Sequence, residues 1–155
     1  MKGLPGALIS EGRIMKSMKS VASDRSQRQS LLIIDDDKDW TDLLEYYFLE
    51  KYDVQVFNSA CEAIEIISKQ QPSAIIVDLV MPTIDGFGII RRLNDSSKTR
   101  IPTILVTGWN TPEVKECATS FGCSAVLSKP IDLNALDEAV SFVMNRKQAL
   151  SSAVM

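Results

Sequence analysis

The sequence predicts an α/β fold in which a parallel sheet of five strands is covered on both faces by five helices. Two observations support this prediction. Short apolar runs without polar alternation, such as Ala74 to Val77, are typical of strands that are buried on both faces of a sheet. These runs alternate with segments of helical periodicity across short connections, which is the pattern of a parallel sheet between two helical layers.

The first strand is predicted at Leu31 to Ile34, and a helix follows it. Apolar residues at i, i+3, i+4, i+7 and i+8 give the expected buried face of this helix, which consists of Trp40, Leu43, Leu44, Tyr47 and Phe48. The second strand, Asp53 to Phe57, alternates apolar and polar residues, so we expect it at an edge of the sheet.

A capping box at Ser59 and Glu62 predicts the start of the second helix. The apolar stripe of this helix is Ala60, Ala63, Ile64 and Ile67. The third strand follows Pro72 and ends at Asp78, and a third helix is expected to run to about Asn94. The spacing that indicates this helix is formed by Phe87, Ile90 and Leu93.

The fourth strand is predicted at Ile101 to Val106 and the fifth at Ser124 to Leu127. Between them, Thr111 and Pro112 indicate an N-cap and a first-turn proline, and Gly122 indicates the end of a helix. The apolar stripe of that helix is Val114, Cys117, Ala118 and Phe121. Asp132 is expected to cap the last helix. The expected buried face of this helix consists of Leu136, Ala139, Val140, Val143 and Met144.

The composition is that of a single globular domain. The chain has 155 residues and a mass of 17.2 kDa, with 45% hydrophobic and 24% charged residues. The formal net charge is −3, but residues 1–30 carry six basic and two acidic side chains, which leaves 11 basic and 18 acidic ones in the remainder. An acidic body argues against direct nucleic-acid binding, because Lys and Arg supply the contacts to phosphates.

The chain contains no histidine and three cysteines. Without imidazole there is no Ser-His triad, no histidine-zinc site and no phosphohistidine, so any phosphoryl group must come from elsewhere. Cys61, Cys117 and Cys123 form neither an even framework nor a Cys-x-x-Cys motif, so we expect small buried hydrophobic residues in a reducing compartment rather than a redox or metal site. No membrane-spanning run and no secretory signal are found, which predicts a cytoplasmic protein.

Three segments are expected along the chain. Residues 1–29 form a flexible basic extension, residues 30–147 form the folded domain, and residues 148–155 form a tail that is too short for a second domain. The extension has two interpretations. The first is a segment without a role, either a disordered tail or the product of an upstream start codon with Met15 or Met18 nearer the functional start. The second is a basic docking segment.

Polar side chains follow four of the apolar runs, at the point where each strand ends. Asp78 ends the third run, and Asp35 and Asp36 follow the first. Thr107 follows the fourth run, and Lys129 lies shortly after the fifth. Ligands of open α/β sheets gather at the carboxyl ends of the strands, so we expect these side chains to meet in one cleft. Taken singly, each is also explained by a cap, a turn or a solvated charge.

The adjacent carboxylates Asp35 and Asp36 repel each other by about a few kcal/mol at ~4 Å unless a cation lies beside them. A site of few carboxylates plus water suits Mg²⁺ better than Ca²⁺. The alternative is a solvated acidic loop in which Asp37 caps the following helix. An EF-hand is excluded, because its glycine and closing glutamate positions hold Trp40 and Tyr46.

This set of residues is suited to phosphoryl transfer. A carboxylate can attack phosphorus and form an aspartyl phosphate. Charge in that transfer spreads over the equatorial oxygens, so a metal ion and a fixed cation matter more than a general base. Asp36 would supply the metal ligand, Lys129 the cation and Thr107 a neutral donor.

The motifs resemble those of the receiver domains of two-component response regulators, over residues 30–147. That family has an acidic pair after the first strand, an Asp-x-x-x-Pro-x-x-x-Gly loop after the third, Thr or Ser after the fourth and Lys-Pro after the fifth. The corresponding residues here are Asp35-Asp36, Asp78 to Pro82 to Gly86, Thr107-Gly108 and Lys129-Pro130. The resemblance implies a flavodoxin-like fold with strand order 2-1-3-4-5.

The resemblance also implies the roles of the site residues. Asp78 would accept the phosphoryl group from a histidine kinase or a histidine phosphotransfer protein. Lys129, beside a cis peptide bond to Pro130, would hold the phosphoryl oxygens, and Thr107 would move in to follow them. The implied Mg²⁺ ligands are Asp36, Asp78 and the Val80 carbonyl, with Asp35 acting through water.

The implied function is that of a single-domain response regulator, which is a phosphorylation-dependent switch rather than an enzyme. No output domain is expected in the chain, so its output would be a protein contact. The resemblance places that contact on the face formed by the fourth helix, fifth strand and fifth helix, residues 111–146.

One position departs from the pattern of the family. Receivers usually carry Tyr or Phe three residues before the lysine, as an aromatic rotor, and this chain has Val126 there. Trp109, two residues after Thr107, is unusually large for a loop beside the site. We interpret it as a shield of the aspartyl phosphate against water or as part of the switch, and the alternative is a surface residue without a role.

Two alternatives assign other chemistry to the same chain. A phosphohydrolase resembling the haloacid dehalogenase group would use Asp35 as its nucleophile, with Asp35-x-Asp37 as its first motif. Against it, Asp39 stands where that motif has Thr or Val, no paired acids follow Lys129, and a cap domain is lacking. A flavodoxin would need a Ser/Thr/Gly-rich phosphate loop after the first strand, where three acids would repel a phosphate.

Overall fold

The computed structural model describes residues 27–96 and 100–154. Five strands and five helices alternate along this part of the chain, as expected. The strands are β1 Ser30–Ile34, β2 Asp53–Phe57, β3 Ala74–Asp78, β4 Thr103–Thr107 and β5 Ala125–Ser128. The helices are α1 Lys38–Phe48, α2 Ala60–Lys69, α3 Gly86–Ser96, α4 Pro112–Ser120 and α5 Leu133–Ala153.

The strands form one parallel sheet in the order β2-β1-β3-β4-β5. β2 lies at an edge, as its alternating sequence predicts, and none of its residues is fully buried. All residues of β3 and β4 are buried inside the sheet. The flavodoxin-like fold implied by the motifs is therefore confirmed.

Helices cover both faces of the sheet. Neighbouring residues of a strand point to opposite faces, so a strand that is apolar throughout needs a cover on each face. One core cluster packs under α2, α3 and α4, and the other lies between the sheet and the pair α1 and α5. On β1, Leu32 and Ile34 belong to the first cluster, whereas Leu31 and Ile33 belong to the second. Each fully buried aliphatic side chain stabilises the fold by roughly 1.5–3 kcal/mol. This packing fixes the strands and therefore the positions of the loops at their ends.

Local signals set most helix boundaries as predicted. The Asp132 side chain accepts a hydrogen bond from the Asn134 N–H at 2.9 Å and caps α5. The Thr111 hydroxyl accepts from the Val114 N–H at 3.3 Å and caps α4. Gly122 ends α4 with φ 77°, in the left-handed region that glycine adopts without strain.

Two helix predictions were wrong in detail. The Ser59 side chain makes no capping hydrogen bond, so the capping box is not formed, although α2 does begin at Ala60. Leu43 is 45% exposed instead of buried, and Thr41 is fully buried on α1. The Thr41 hydroxyl can be buried because it donates to the Lys38 carbonyl at 3.0 Å.

β4 begins two residues later than predicted. Ile101 is buried, but the residue after it is Pro102, which has no N–H to give to a neighbouring strand. The regular strand therefore starts at Thr103, and it ends at Thr107 rather than at Val106.

The cysteines are less buried than predicted. Cys61 and Cys117 are exposed, and Cys123 is half-buried. The prediction of small buried hydrophobic residues was therefore wrong for Cys61 and Cys117, while Cys123 packs against the core cluster under α2, α3 and α4. Cys117 does not belong to the apolar stripe of α4.

The two ends of the domain differ from the expected boundaries. Residues 1–26 of the predicted extension lie outside the described residues. Gln29 is bound to the domain, since its side chain donates to the Met144 carbonyl at 3.1 Å. At the other end, α5 continues to Ala153, through most of the predicted tail 148–155. No helix among the described residues has the length and apolar character needed to cross a membrane.

The Cys123 thiol is predicted to react slowly. Burial raises its pKa from the ordinary value of 9.0 to about 11. At a given pH near neutrality, such a thiol holds about one hundredth of the thiolate of a cysteine with the ordinary pKa. In a Cys61→Ser/Cys117→Ser variant, we expect iodoacetamide to alkylate Cys123 about a hundredfold more slowly than free cysteine, measured by intact mass. A rate equal to that of free cysteine would contradict this expectation.

The same pKa predicts a pH dependence of stability. The thiol is held neutral in the folded state up to about pH 11, whereas the unfolded chain loses the proton from about pH 9. The contribution of the neutral thiol to the free energy of unfolding is therefore complete below pH 9 and is lost as the pH rises towards 11. The free energy of unfolding in urea should fall more steeply across this range in the wild type than in a Cys123→Ser variant.

Candidate functional site

The parallel register places the ends of four strands side by side. Asp78 is the last residue of β3, Thr107 is the last residue of β4, and Asp78 pairs with Val106 in the register. Asp35 directly follows β1, and Lys129 directly follows β5. The expected convergence of these residues at one edge of the sheet is thus present in the fold.

Lys129 joins the two buried acids at this edge. Its Nζ lies 3.0 Å from Asp35 Oδ2 and 3.3 Å from Asp78 Oδ1. Asp35 and Asp78 are only 3% and 5% exposed. A carboxylate that is buried to this extent requires a partner, because an unpaired interior charge is costly. One ammonium group therefore serves two carboxylates.

Asp36 completes a cluster of three carboxylates. One oxygen of each of Asp35, Asp36 and Asp78 lies within 4.8 Å of the others. Asp36 is exposed, so the cluster reaches the solvent. Three carboxylates and one nearby ammonium leave an excess of negative charge, and a hard divalent cation with oxygen ligands neutralises such an excess. The donor set fits Mg²⁺.

Burial disfavours the charged forms of both Asp78 and Lys129, and the neighbouring charges decide the net shift of each pKa. Burial raises the pKa of Asp78, and the charge of Asp35 raises it further, while Lys129 acts in the opposite direction. Burial on its own lowers the pKa of Lys129, but hydrogen bonding to Asp35 and the charges of both acids outweigh this and raise it. Lys129 therefore remains a cation at neutral pH, and Asp78 is a carboxylate whose negative charge is destabilised.

Asp35 is held by hydrogen bonds that the sequence analysis missed. Its Oδ1 accepts from the Asp37 N–H at 2.9 Å, and its backbone carbonyl accepts from Asn58 Nδ2 at 2.8 Å. The Asn58 amide also donates to the buried Thr41 hydroxyl at 2.9 Å. Asn58 directly follows β2, so the polar residue at a strand end was the signal that could have identified it.

Of the two interpretations of the acidic run, the helix cap by Asp37 is confirmed, and the metal site stays a prediction. Asp37 caps α1, since its Oδ1 accepts from the Trp40 N–H at 3.1 Å. Asp35, in contrast, turns inward to Lys129. Neighbouring acids in this loop therefore have separate roles.

The Thr107 hydroxyl links the end of β4 to the following loop. Thr107 is fully buried, and its Oγ1 accepts from the Trp109 N–H at 2.9 Å. Its carbonyl accepts from the Lys129 N–H at 2.8 Å. The Trp109 side chain is 63% exposed. Thr107 is thus bonded both to the loop that carries Trp109 and to the backbone of the lysine that contacts Asp78.

Val126 stands at the position where the aromatic rotor was expected from the resemblance. Val126 is half-buried in β5 and packs against the core cluster shared by α2, α3 and α4. Two aromatic rings pack against the same cluster, where Phe87 and Phe121 stack with centroids 5.2 Å apart. At position 126 itself, a small aliphatic side chain takes the place of the aromatic ring.

Gly86 allows the loop after β3 to pack against the backbone of Asp78. The Gly86 N–H donates to the Leu79 carbonyl at 2.8 Å. A Cβ on Gly86 would lie 2.5 Å from the Asp78 carbonyl oxygen and 2.9 Å from Leu79 Cα. No side chain fits at this distance from another backbone, which gives the physical reason for the glycine in the Asp-x-x-x-Pro-x-x-x-Gly pattern.

Two further features implied by the resemblance lie beside the three carboxylates. The Val80 backbone hydrogen-bonds to the Asp78 carboxylate, so Val80 is adjacent to the acids. The peptide bond between Lys129 and Pro130 is cis, as the resemblance implied. A groove of about 250 Å³ opens next to Lys129, and it is lined by Asp37, Trp40, Lys129, Pro130 and Ile131.

Comparison with known proteins gives a consistent result. The family model described as the response regulator receiver domain matches residues 31–141, which is more than half of the chain. An uncharacterized 14.6 kDa protein from the sodA1 3′ region of Leptolyngbya boryana is 31% identical over 107 residues, covering 68% of this chain and 82% of that protein. Response regulator Rre1 of Synechocystis is 28% identical over 127 residues, covering 80% of this chain.

The chain spans 55% of the length of Rre1. Among solved structures, the receiver domain of the Francisella response regulator 1452 superposes with a TM-score of 0.71 at 25% identity. That similarity covers 76% of this chain and 98% of the Francisella chain.

Gly86→Ala is predicted to destabilise the protein by about 2 kcal/mol, because the new methyl group would push against the Asp78 carbonyl. Gly108→Ala is the matched control, since a Cβ there meets nothing within 4 Å. We expect the control to change the free energy of unfolding by less than about 0.5 kcal/mol. Urea unfolding measures both variants, and equal effects would show that the contact at Gly86 is unimportant.

Proposed function

Because the chain belongs to the response regulator receiver domain family, we propose that it accepts a phosphoryl group on Asp78 and thereby switches its binding to other proteins. The observation that supports this most directly is the contact of Lys129 Nζ with both Asp35 and Asp78, at 3.0 and 3.3 Å. A carboxylate nucleophile, two further acids and a fixed cation then share one small volume, which is what phosphoryl transfer needs.

The proposed donor is a phosphohistidine of a histidine kinase or a histidine phosphotransfer protein, since this chain has no histidine. The donor imidazole is protonated on its other nitrogen. Its N–P bond breaks, an O–P bond to an Asp78 carboxylate oxygen forms, and neutral imidazole leaves. The chain contributes the acceptor and its surroundings and turns over no other substrate.

Each proposed role follows from the position of the residue. Lys129 balances the charge of the phosphoryl oxygens beside Asp78, where its ammonium already lies. Thr107 is proposed to donate its hydroxyl proton to a phosphoryl oxygen. The proposed Mg²⁺ ligands are Asp36, Asp78 and the Val80 carbonyl, with Asp35 acting through water. When bound, Mg²⁺ would supply the positive charge that three carboxylates and a phosphoryl group require.

The proposed output is a change in protein binding on the 111–146 face, which consists of α4, β5 and most of α5. Thr107 and Trp109 lie just before this face in the chain, and the hydrogen bond between them supports a path from the site to α4. Movement of the Thr107 hydroxyl towards a phosphoryl group would alter this bond.

The phosphohydrolase alternative gains no support from the comparisons. Its nucleophile would be Asp35, which is 3% exposed and already bonded to Lys129 and to the Asp37 N–H. Asp78 contacts the same lysine, and burial followed by the charge of Asp35 raises its pKa, so esterification of Asp78 would remove a negative charge that its surroundings disfavour.

Asp78→Asn is predicted to abolish labelling by acetyl phosphate or by a phosphorylated histidine kinase. In the wild type, borohydride reduction and peptide mapping should locate the acyl phosphate on Asp78. Chelation of Mg²⁺ should slow labelling at least about tenfold. In an Asp35→Asn variant the label should still be found on Asp78, and a label on Asp35 in the wild type would favour the phosphohydrolase alternative instead.

Trp109→Ala is predicted to shorten the lifetime of the aspartyl phosphate by about threefold or more, because water then reaches the site more freely. In a Trp40→Phe background, Trp109 is the remaining tryptophan, so its fluorescence should also change on phosphorylation. An unchanged lifetime in Trp109→Ala, together with unchanged fluorescence, would assign Trp109 no role beyond the surface.

A further inference from the structure

A groove of about 420 Å³ lies at the edge of the sheet opposite Asp78. It is formed by the residues that lead into β4 and β5 and by the C-terminal half of α5, among them Arg100, Ser124, Phe142, Arg146, Lys147 and Leu150. A strand of five residues spans roughly 17 Å. The groove is therefore separated from the acidic cluster by about the length of a strand.

Three cations line this groove, and no carboxylate does. Within residues 27–96 and 100–154, neither Arg100 nor Arg146 nor Lys147 forms an ion pair. This concentration of positive charge contrasts with the rest of the chain after residue 30, where 18 acidic side chains stand against eight basic ones once the three groove cations are left out. The groove is thus electrostatically complementary to an acidic partner.

Lys147 is partly desolvated without an anion beside it. Its Nζ donates to the Pro72 carbonyl at 2.9 Å, which uses one of the three donors of the ammonium group. Burial lowers the pKa of Lys147, so the charged form is disfavoured as the groove stands. A carboxylate bound in the groove would stabilise that charge.

Two large apolar side chains flank the cations. Phe142 and Leu150 are 58% and 67% exposed, and they lie four residues before and after Arg146 on α5. The Arg146 guanidinium lies over the Phe142 ring, 5.6 Å from its centroid. Side chains four residues apart are neighbours on a helix, so apolar and cationic groups share one face. All three residues lie beyond residue 141, where the match to the family ends.

We propose that this groove binds an acidic segment of a partner protein, in which carboxylate side chains are interspersed with apolar ones. The carboxylates pair with the three cations, and the apolar side chains cover Phe142 and Leu150. A nucleic acid would satisfy the charges but leave these exposed apolar side chains in water. An acidic protein segment with apolar side chains uses both features.

The groove shares residues with the 111–146 face at the end where β5 begins, namely residues 122–124 and part of α5. The inference depends on the proposed function only for its role in signalling, because binding at the groove requires no phosphoryl group on Asp78.

The test uses a short fluorescein-labelled peptide of repeated Glu-Leu pairs and measures its fluorescence anisotropy with the full chain. An Arg100→Glu/Arg146→Glu variant should weaken binding at least about tenfold. An Arg91→Glu/Lys115→Glu variant has the same change in net charge at exposed positions outside the groove, and it should bind within about twofold of the wild type. Peptides of Gln-Leu or Glu-Ser pairs should bind more weakly, because each lacks one of the two features.

Several results would overturn the proposal. These are no binding of the Glu-Leu peptide by the wild type, equal losses in the two double variants, or equal binding of the Glu-Ser peptide. Tighter binding of single-stranded RNA or of anionic lipid vesicles through the same two arginines would also overturn it. Urea unfolding of each variant shows whether it is folded. Labelling of Asp78 by acetyl phosphate, measured separately, keeps a failure at the groove distinct from a failure of the proposed phosphoryl acceptance.

Discussion

The site depends on one ammonium group that lies between two buried carboxylates. Lys129, Asp35 and Asp78 lie at the ends of three different strands, so their contact exists only while β1, β3, β4 and β5 keep their parallel register. A slip of one residue would turn every side chain of a strand to the opposite face, and both faces of this sheet are covered by core clusters. The hydrophobic core therefore fixes the register, and the register holds together charges that would otherwise repel one another.

This arrangement leaves the site short of positive charge. Asp36 adds a third carboxylate to the cluster, and Lys129 balances only one of the three. The pKa of Asp78 is raised accordingly, first by burial and then by the charge of Asp35. A phosphoryl group brings further negative charge, so a cation must compensate the carboxylates for it to approach. The proposed metal binding and the proposed phosphoryl acceptance would therefore be linked by electrostatics.

The order of the elements and the members of the cluster could be predicted because both follow from burial. A strand covered on both faces must be apolar throughout, and the polar residues that end parallel strands share one edge. The errors depend on side-chain geometry that periodicity does not contain. Leu43 fits the helical spacing but is exposed, while Thr41 is buried and its hydroxyl bonds to Lys38 and Asn58. The helix beyond Met144 gave no signal, because its apolar residues are mostly exposed and follow no buried stripe.

The acidic cluster and the basic groove are joined by α5. This helix begins at Leu133, shortly after Lys129, and its later turns supply Arg146 and Leu150 to the groove. A helix of 21 residues is about 30 Å long, so α5 reaches from the carboxyl ends of the strands to their amino ends. Any coupling between the two sites is reciprocal, because the factor by which phosphorylation changes the affinity of the groove equals the factor by which a bound segment changes the phosphorylation equilibrium. A partner at the groove would then act on Asp78 to the same extent that Asp78 acts on the partner.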